Sequence, residues 1–497
     1  MTDDSRSKTP APPEHFDVLI VGAGISGIGA AYHLTHQCPG KSYAVLEAHE
    51  SFGGTWHTHR YPGARSDSDL YTYGYRFKPW TGPPIATREE ILAYMSAVIA
   101  ENGLAPHIRY GMRIVSANWS SEESRWTLRA ERAGTGEAVS LTANFLWMCQ
   151  GYYRHSKGHT PDWPGMAEFR GRIVHPQTWP EDLSVAGKRV VVIGSGATAA
   201  TLIPAIAEES AHVTLLQRSP TYFHPGRDFS DFANSLKQLE IPDDWFHEIM
   251  RRKMLVERRA FTQFTAADPE AATQFLLDHA REALGPDAPM EHFTPRYRPW
   301  KQRLALVPDD DLFKCVRSGK VSVATDEVDC FYAKGIVLKS GARLDADIVV
   351  TATGFDMSAL GDIAFSIDGA PLDFADTVTW QGMMFSGVPN MVWVFGYLRE
   401  SWTMRADLVS DFVCRLLNHM DAKGVAQAAP ALRPEDRNMP RLPWIDPDDF
   451  NPGYIMRGQH LLPKRGDKPE WAHTQDYWAD RERIPAIDLD GGVLVYG

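Results

Sequence analysis

Phe16 to Val21 is an unbroken apolar run that stops at glycines, which is how a strand buried on both faces of a parallel sheet reads. The period then changes. From Ser26 onward small and apolar residues recur at helical spacing, so Gly22, Gly24 and Gly27 occupy a strand-to-helix turn. SYAVLE, Ser42 to Glu47, reads as the next strand and ends in an acid. The same grammar returns at KRVVVIGSGATAATLI, with Gly194, Gly196 and Ala199 in the turn, and at HVTLLQR, a strand that ends at Arg218. Two further strands, FLWMCQG (Phe145 to Gly151) and DIVVTATGF (Asp347 to Phe355), also stop at a glycine and read as crossings between domains. The pattern predicts an α/β fold of two nested Rossmann-like nucleotide-binding domains, the second inserted into the first, with the chain returning to the first after about Gly354.

The expected boundaries follow. Residues 1–15 are polar and Pro-rich and read as a disordered tail. Residues 16–155 form the first part of the first domain and 165–350 the second domain. Residues 355–497 bring the rest of the first domain and an irregular closing segment rich in Pro, Trp and Asp. Within the second domain, about 230–290 shows no strand pattern. Phe246, Ile249, Met250, Val256, Ala260 and Phe264 fall on one helical face there, and Asp268-Pro269-Glu270 reads as a cap and first turn, so this is a helical insertion.

Composition narrows the function. A chain of 497 residues with 43% hydrophobic residues is long enough for two or three packed domains, and its net charge of -12 argues against a reader of nucleic-acid phosphates. An anionic ligand must therefore meet local positive charge. Cys38, Cys149, Cys315, Cys330 and Cys414 contain no close pair, which indicates neither a disulfide framework nor a cysteine metal site, and no metal is expected. No apolar run reaches the roughly 20 residues of a membrane helix and no signal-peptide core is present, so a cytoplasmic location is expected. The 15 tryptophans suit flat ring ligands but suit large cores better.

The two turns differ where selectivity is set. Gly22 permits the tight turn, Gly24 lets backbone amides approach a pyrophosphate, and Gly27 lets the helix pack closely on the strand, so that its positive N-terminus faces the phosphates. Glu47 can accept hydrogen bonds from an adenosine ribose, or act only as a strand-capping acid. In the second unit Arg218, in Gln217-Arg218-Ser219, replaces the acid. A guanidinium pairs with a 2'-phosphate that a carboxylate would repel, which favours NADPH over NADH, the alternative being a solvated surface charge. Two sites of unlike preference suggest a resident FAD reduced by NADPH.

Two further stretches, GGTWHTHRYPGARSD (Gly53 to Asp67) and FRGRIVHPQTWP (Phe169 to Pro180), carry a resemblance. Gly53, Gly54, Trp56, Tyr61, Pro62, Gly63 and Asp67 in the first, with Phe169, Gly171, His175, Trp179 and Pro180 in the second, match every fixed position of the two fingerprints of the type I Baeyer-Villiger monooxygenases, which are class B flavoprotein monooxygenases. The stretches HFTPRYRPWKQRLALVPDDDLF and GYLRESWTMRADL further resemble the ethionamide-activating subgroup. The resemblance implies cofactor contacts at Gly22, Gly24, Ile25, Ser26, Gly27, Glu47, Gly54, Thr55, Trp56, Asp67, Tyr73 and Ile114. In the second unit it implies them at Gly194, Ser195, Gly196, Ala197, Thr198, Ala199, Arg218 and Ser219. Trp56 as ordinary core stays open.

It also implies that Arg303 is the active-site arginine and that Asp67 pairs with it, although Arg296 and Arg298 are close competitors. In such enzymes reduced flavin and oxygen give a C4a-peroxyflavin, and a fixed cation stabilises the peroxide anion and the adduct it forms with a ketone. His175 reads as a hydrogen-bonding hinge between domains, with proton transfer as the lesser alternative. Two departures stand out: Gln302, where relatives often have a lysine that helps hold the NADP phosphate, and Cys149-Gln150-Gly151, where they often place a small hydroxyl residue before the glycine.

The implied activity is NADPH-, FAD- and O2-dependent insertion of one oxygen into small-molecule ketones to give esters or lactones, with sulfoxidation of thioethers beside it. The alternative within enzymes is N- or S-oxygenation alone. A disulfide or ferredoxin reductase shares paired Rossmann domains but needs a cysteine pair or an iron-sulfur partner. A flavin-binding sensor would oxidise NADPH without an oxygenated product. Substrate and oligomeric state are not legible at this level.

Overall fold

The computed structural model describes residues 12–225 and 230–497. The first sheet is built on β1 (Glu14–Val21), followed by α1 (Ile25–Gln37), β2 (Tyr43–Leu46) and, after a β-meander, β3 (Ala138–Met148). β1 lies between β2 and β3 and is parallel to both, with Val21 opposite Leu46 on one side and Met148 on the other. All three strands therefore end together, at the turn that Gly22 opens. Buried on both faces, β1 needs the continuous apolar run that its sequence supplies.

The sheet continues from β3 through Arg125–Arg132 and Met112–Ser120 to Ala364–Ile367 and Ala370–Leu372, and Met391–Trp393 also pairs with β3. Strands from after residue 355 thus complete a sheet begun at residue 14. The second sheet is formed by β4 (Arg189–Ile193), which leads through α2 (Ala197–Ala207) to β5 (His212–Gln217). Its order is Val321–Thr325, β5, β4, Ile348–Thr351 and Arg172–Val174, all parallel. The two chain crossings pair with each other: Tyr153–Gly158 runs antiparallel to Phe355–Met357.

Two expectations need correction. The tail does not extend to residue 15, because Glu14 and His15 belong to β1. There Arg109 donates to both Glu14 carboxylate oxygens at 2.6 Å and His15 meets the Thr142 hydroxyl at 3.0 Å. Residues 1–11 of that tail lie outside the described residues. The helical face is the second. The insertion is Ser230–Gln238, α3 (Asp243–Ala267) and Pro269–Leu284. Phe246 and Met250 are buried, but Val256 is 59% and Phe264 36% exposed, and Ala260 is exposed as well. The buried stripe runs through Phe246, Met250 and Met254 because the N-terminal half of α3 packs on Tyr71 of the short helix Leu70–Tyr73.

The second fingerprint builds the inter-domain frame and does not line the cavity described below. Phe169 packs against Phe331, and a Cβ on Gly171 would stand 2.3 Å from the Asp347 carbonyl oxygen. Trp179 packs half-buried on the second domain's core. His175 Nε2 donates to the Gly354 carbonyl at 3.0 Å and Nδ1 accepts from Gln177 N at 3.1 Å, so the ring is held in one tautomer across the paired crossings. Burial lowers its pKa, which leaves it neutral at pH 7.

The first fingerprint also bridges the domains. Tyr61 and Ala64 join the second domain's core, and Arg65 pairs with Asp311 at 2.7 Å. At Gly63 φ is +77° and a Cβ would lie 2.5 Å from the Thr201 carbonyl of α2, so only glycine lets the loop sit there. Gly63→Ala is expected to cost roughly 1–3 kcal/mol, read as a lower thermal-unfolding midpoint. An unchanged midpoint would show that this contact is not tight.

The aromatic excess is mostly core. Trp119, Trp126, Trp147, Trp393, Trp444 and Trp471 are among the largest fully buried side chains.

Candidate functional site

Both glycine turns open onto one cavity of about 1220 Å³, larger than the roughly 300–1,000 Å³ of a typical single-ligand pocket. At the first turn Gly22 has φ +99°, and a Cβ on it would lie 2.9 Å from the Cys149 carbonyl oxygen. α1 starts at Gly24 with no side-chain cap and no acid in its first turn, and α2 starts the same way at Gly196. The uncapped amides of both helix N-termini are therefore left for an anion. A Cβ on Gly196 would meet nothing within 4 Å, so space opens directly above that turn. The two sites fit a pyrophosphate each.

The predicted contact residues Gly22, Gly24, Ile25, Ser26, Glu47, Gly54, Thr55, Trp56, Asp67, Tyr73 and Ile114 line this cavity, as do Gly194, Ser195, Gly196, Ala197, Thr198, Arg218 and Ser219. Gly27 and Ala199 do not. They sit one turn into their helices, under the loop, and a Cβ on Gly27 would fall 1.8 Å from the Gly22 carbonyl oxygen. Their smallness serves helix–strand packing rather than ligand contact.

Glu47 is buried, and its carboxylate accepts from Ala23 N at 2.7 Å and His49 N at 2.9 Å. It braces the turn while its edge faces the cavity. Trp56 donates to the Tyr73 hydroxyl at 2.8 Å and also packs on the first core. Ser26 accepts from Trp402 Nε1 at 2.7 Å, which ties the first turn of α1 to the start of α4 (Trp402–Lys423). Burial raises the Cys149 thiol pKa, so that residue is uncharged beside the turn. His59 and His155 line the same space, and burial together with neighbouring histidines lowers them to about 3 and about 4.

Arg303 stands where this cavity meets a second one of about 180 Å³, and Asp67 lines both with it. Arg303 Nη1 lies 3.4 Å from Asp67 Oδ2, and its Nε donates to the Tyr454 hydroxyl at 3.3 Å. Tyr152 and Tyr153, whose hydroxyls are 2.8 Å apart, close the wall behind, and Tyr152 stacks on Trp402 with centroids 5.3 Å apart. Burial drives both phenol pKa values up, so they remain neutral, and Arg303 is held charged with its pKa above the usual guanidinium range despite burial. The competitors Arg296 and Arg298 line neither cavity, and Arg298 is committed to Asp449 at 2.9 Å.

Sequence reasoning missed Tyr152, Tyr153, Tyr454, Trp402 and Arg457. Tyr152 and Tyr153 follow the glycine that ends the β3 segment and Trp402 lies in the GYLRESWTMRADL stretch, whereas Tyr454 and Arg457 carried no signal. Arg457, from the short helix Gly453–Gly458 of the closing segment, lines the large cavity with Arg218. Among the described residues neither arginine has a carboxylate within 4.0 Å. Arg457 donates only to the Phe355 carbonyl, at 3.2 Å, and burial and Arg218 lower its pKa against the opposing pull of Asp356.

Comparisons with known proteins agree with this geometry. Residues 20–83 match the NAD(P)-binding Rossmann-like domain, and 78–232 match the flavin-binding monooxygenase-like family. The chain is 46% identical over 484 residues to the FAD-containing monooxygenase EthA of Mycobacterium tuberculosis, covering 96% of each. It is 42% identical over 483 residues to the probable FAD-binding monooxygenase AlmA of Acinetobacter baylyi, covering 97% of this chain and 96% of the other. Among solved structures, the oxidized steroid monooxygenase bound to NADP superposes with TM-score 0.75 at 24% identity, over 97% of this chain and 99% of the other. The cyclohexanone monooxygenase of Rhodococcus bound to NADP+ gives 0.74 at 21%, with the same coverage. With identity of this level along nearly its whole length, a paired-Rossmann architecture and both fingerprints in place, the chain belongs to the FAD-containing flavoprotein monooxygenases, on the fold shared with the Baeyer-Villiger enzymes.

Proposed function

We propose that the protein uses NADPH and O2 to insert one oxygen atom into small ketones, giving esters or lactones, and to oxidise thioethers. The observation that carries this reading is the Arg303–Asp67 pair at the junction of a dinucleotide-sized cavity and a smaller apolar-walled one. FAD is assigned to the turn at Gly22–Gly27 and NADPH to the turn at Gly194–Ala199. The chemistry supplied by the bound pair is hydride transfer to the flavin and two-electron activation of O2.

The protein's own contribution is positioning and charge. The N-termini of α1 and α2 hold the pyrophosphates, and Arg218 with Arg457 holds the 2'-phosphate, Arg457 taking the place of the lysine absent at Gln302. Arg303, fixed by Asp67 and Tyr454, offers a permanent cation where negative charge develops on oxygen, and needs no reorganisation to do so. The Tyr152, Tyr153 and Trp402 wall keeps that point dry. His175, bonded to Gly354 across the crossings, acts as a hinge through which one domain turns on the other.

Oxygenation at sulfur or nitrogen alone is the second reading. The relatives that share 42–46% identity are named for monooxygenation with no ketone, whereas the ketone- and steroid-named structures match at 24% or less. The test is FAD-loaded enzyme with NADPH, O2 and a panel of linear, cyclic and aryl ketones plus a thioether, with mass detection of one added oxygen. Ester or lactone from any ketone supports the first reading, and sulfoxide alone supports the second. NADPH oxidation with no oxygenated product would sink both.

A further inference from the structure

The small chamber beyond Arg303 has an apolar wall that includes Met254, Phe261 and Leu304, and a charged rim whose groups pair off almost completely. Arg303 pairs with Asp67 at 3.4 Å and Arg258 with Asp69 at 2.9 Å. Arg399 turns to Asp449 at 2.8 Å, and Glu257 meets Lys253 one turn away on α3. Glu400 is the most weakly paired. Its side chain is 10% exposed, and it meets Arg258 Nη1 only in a long ion pair of 3.7 Å. That same nitrogen donates to the Ser401 hydroxyl at 3.0 Å, so Arg258 is already committed on both sides. The chamber therefore carries one surplus negative charge on its wall, and the electrostatic complement of a desolvated carboxylate is a single cation with a hydrogen to donate.

We propose that Glu400 binds a protonated amine on the substrate, so that the chamber selects compact thioethers or ketones carrying a basic nitrogen at the end remote from the oxygenated atom. This rests on the reading of Arg303 as the oxygenation point. At about 180 Å³ the chamber holds one small body with the reacting atom toward Arg303 and the nitrogen toward Glu400. Burial pushes the Glu400 carboxyl up to about 7, with Asp69 and Asp476 adding to the rise and Arg258 opposing it. A carboxyl so poised gains its charge near neutral pH and gains most from a partner that restores what water supplied. The charged and titratable groups around it are Arg258 and Glu257 on α3, Asp69 and Asp67, Arg303, Arg399, His224 and Asp476.

The test is calorimetric binding to FAD-loaded protein of para-(methylsulfanyl)benzylamine and of its neutral isostere para-(methylsulfanyl)benzyl alcohol, at pH 6 and pH 8. The amine stays protonated throughout, and the ionised fraction of a carboxyl with pKa near 7 rises about tenfold between those values. The expected result is an amine that binds about tenfold tighter than the alcohol at pH 8, as one charged hydrogen bond would give, with a preference that shrinks severalfold at pH 6. In Glu400→Gln the ratio of the two dissociation constants falls toward one at both pH values. A purely structural role would weaken both ligands together and leave the ratio alone. A ratio near one in the native protein, or a preference untouched by pH or by the substitution, overturns the proposal. FAD content shows whether the variant is folded, and if it is not, the native pH series decides. Oxygenated product, scored separately by mass, speaks to the proposed function, so a failure there is told apart from a failure here.

Discussion

Arg303→Ala is expected to lower formation of ester or sulfoxide by about two to three orders of magnitude, the size of effect seen when a preorganised donor to a developing oxyanion is removed. FAD loading should survive, because the partners of Arg303 are Asp67 and Tyr454 rather than any residue of the first glycine turn. NADPH oxidation should continue as well, with electrons lost to hydrogen peroxide instead of product. The split between the two rates is the measurement: NADPH consumption by absorbance, peroxide by a coupled assay and product by mass. Arg303→Lys separates charge from geometry. A lysine cannot face Asp67 and Tyr454 with a fixed fork, so partial product with raised peroxide is expected. Full product formation in Arg303→Ala would remove the residue from the chemistry and leave the junction of the two cavities without its cation.

What was legible beforehand divides by the range of the interaction that places each residue. The two nucleotide turns could be read because their logic is local. A strand's apolar run, a glycine with positive φ and an uncapped helix start all lie within a dozen residues, and each leaves a mark on the sequence. The Arg303–Asp67 pair could be read only through the fingerprint resemblance, since the partners are 236 positions apart and nothing in the composition of either segment points to the other. Tyr454 and Arg457 come from a closing segment whose Pro- and Asp-rich sequence gives no period at all. Their roles depend on where the chain returns after residue 355, which local patterning does not encode. Val256 and Phe264 were misplaced for a related reason. Helical spacing identifies a face, but not whether a neighbour covers it along the whole length of α3. Gly27 and Ala199 show the opposite confusion, as motif positions whose small side chains serve packing beneath the ligand.

Arg218→Ala and Arg457→Ala should each raise the dissociation constant for NADP+ by about ten- to a hundredfold, the worth of one or two hydrogen bonds between charged groups, and should leave NAD+ binding nearly unchanged. The argument is one of unspent charge. In a protein of net charge -12, surface arginines usually find carboxylates, yet among the described residues neither of these has one within 4.0 Å, and both face the cavity above the second turn. Two neighbouring guanidiniums repel each other, an effect that adds to burial in lowering the Arg457 pKa, and a phosphate placed between them relieves that repulsion. With both arginines assigned to one phosphate, the double variant is expected to lose less than the product of the single losses. Fluorescence or calorimetric titration of FAD-loaded protein with NADP+ and NAD+ reads this without turnover. Loss of NADP+ affinity in Arg218→Ala but not in Arg457→Ala would leave a single clamp, as the glutamine at 302 alone implied. Equal weakening of both nucleotides would place these arginines at the pyrophosphate instead, and NADPH preference would then have to come from elsewhere in the second domain.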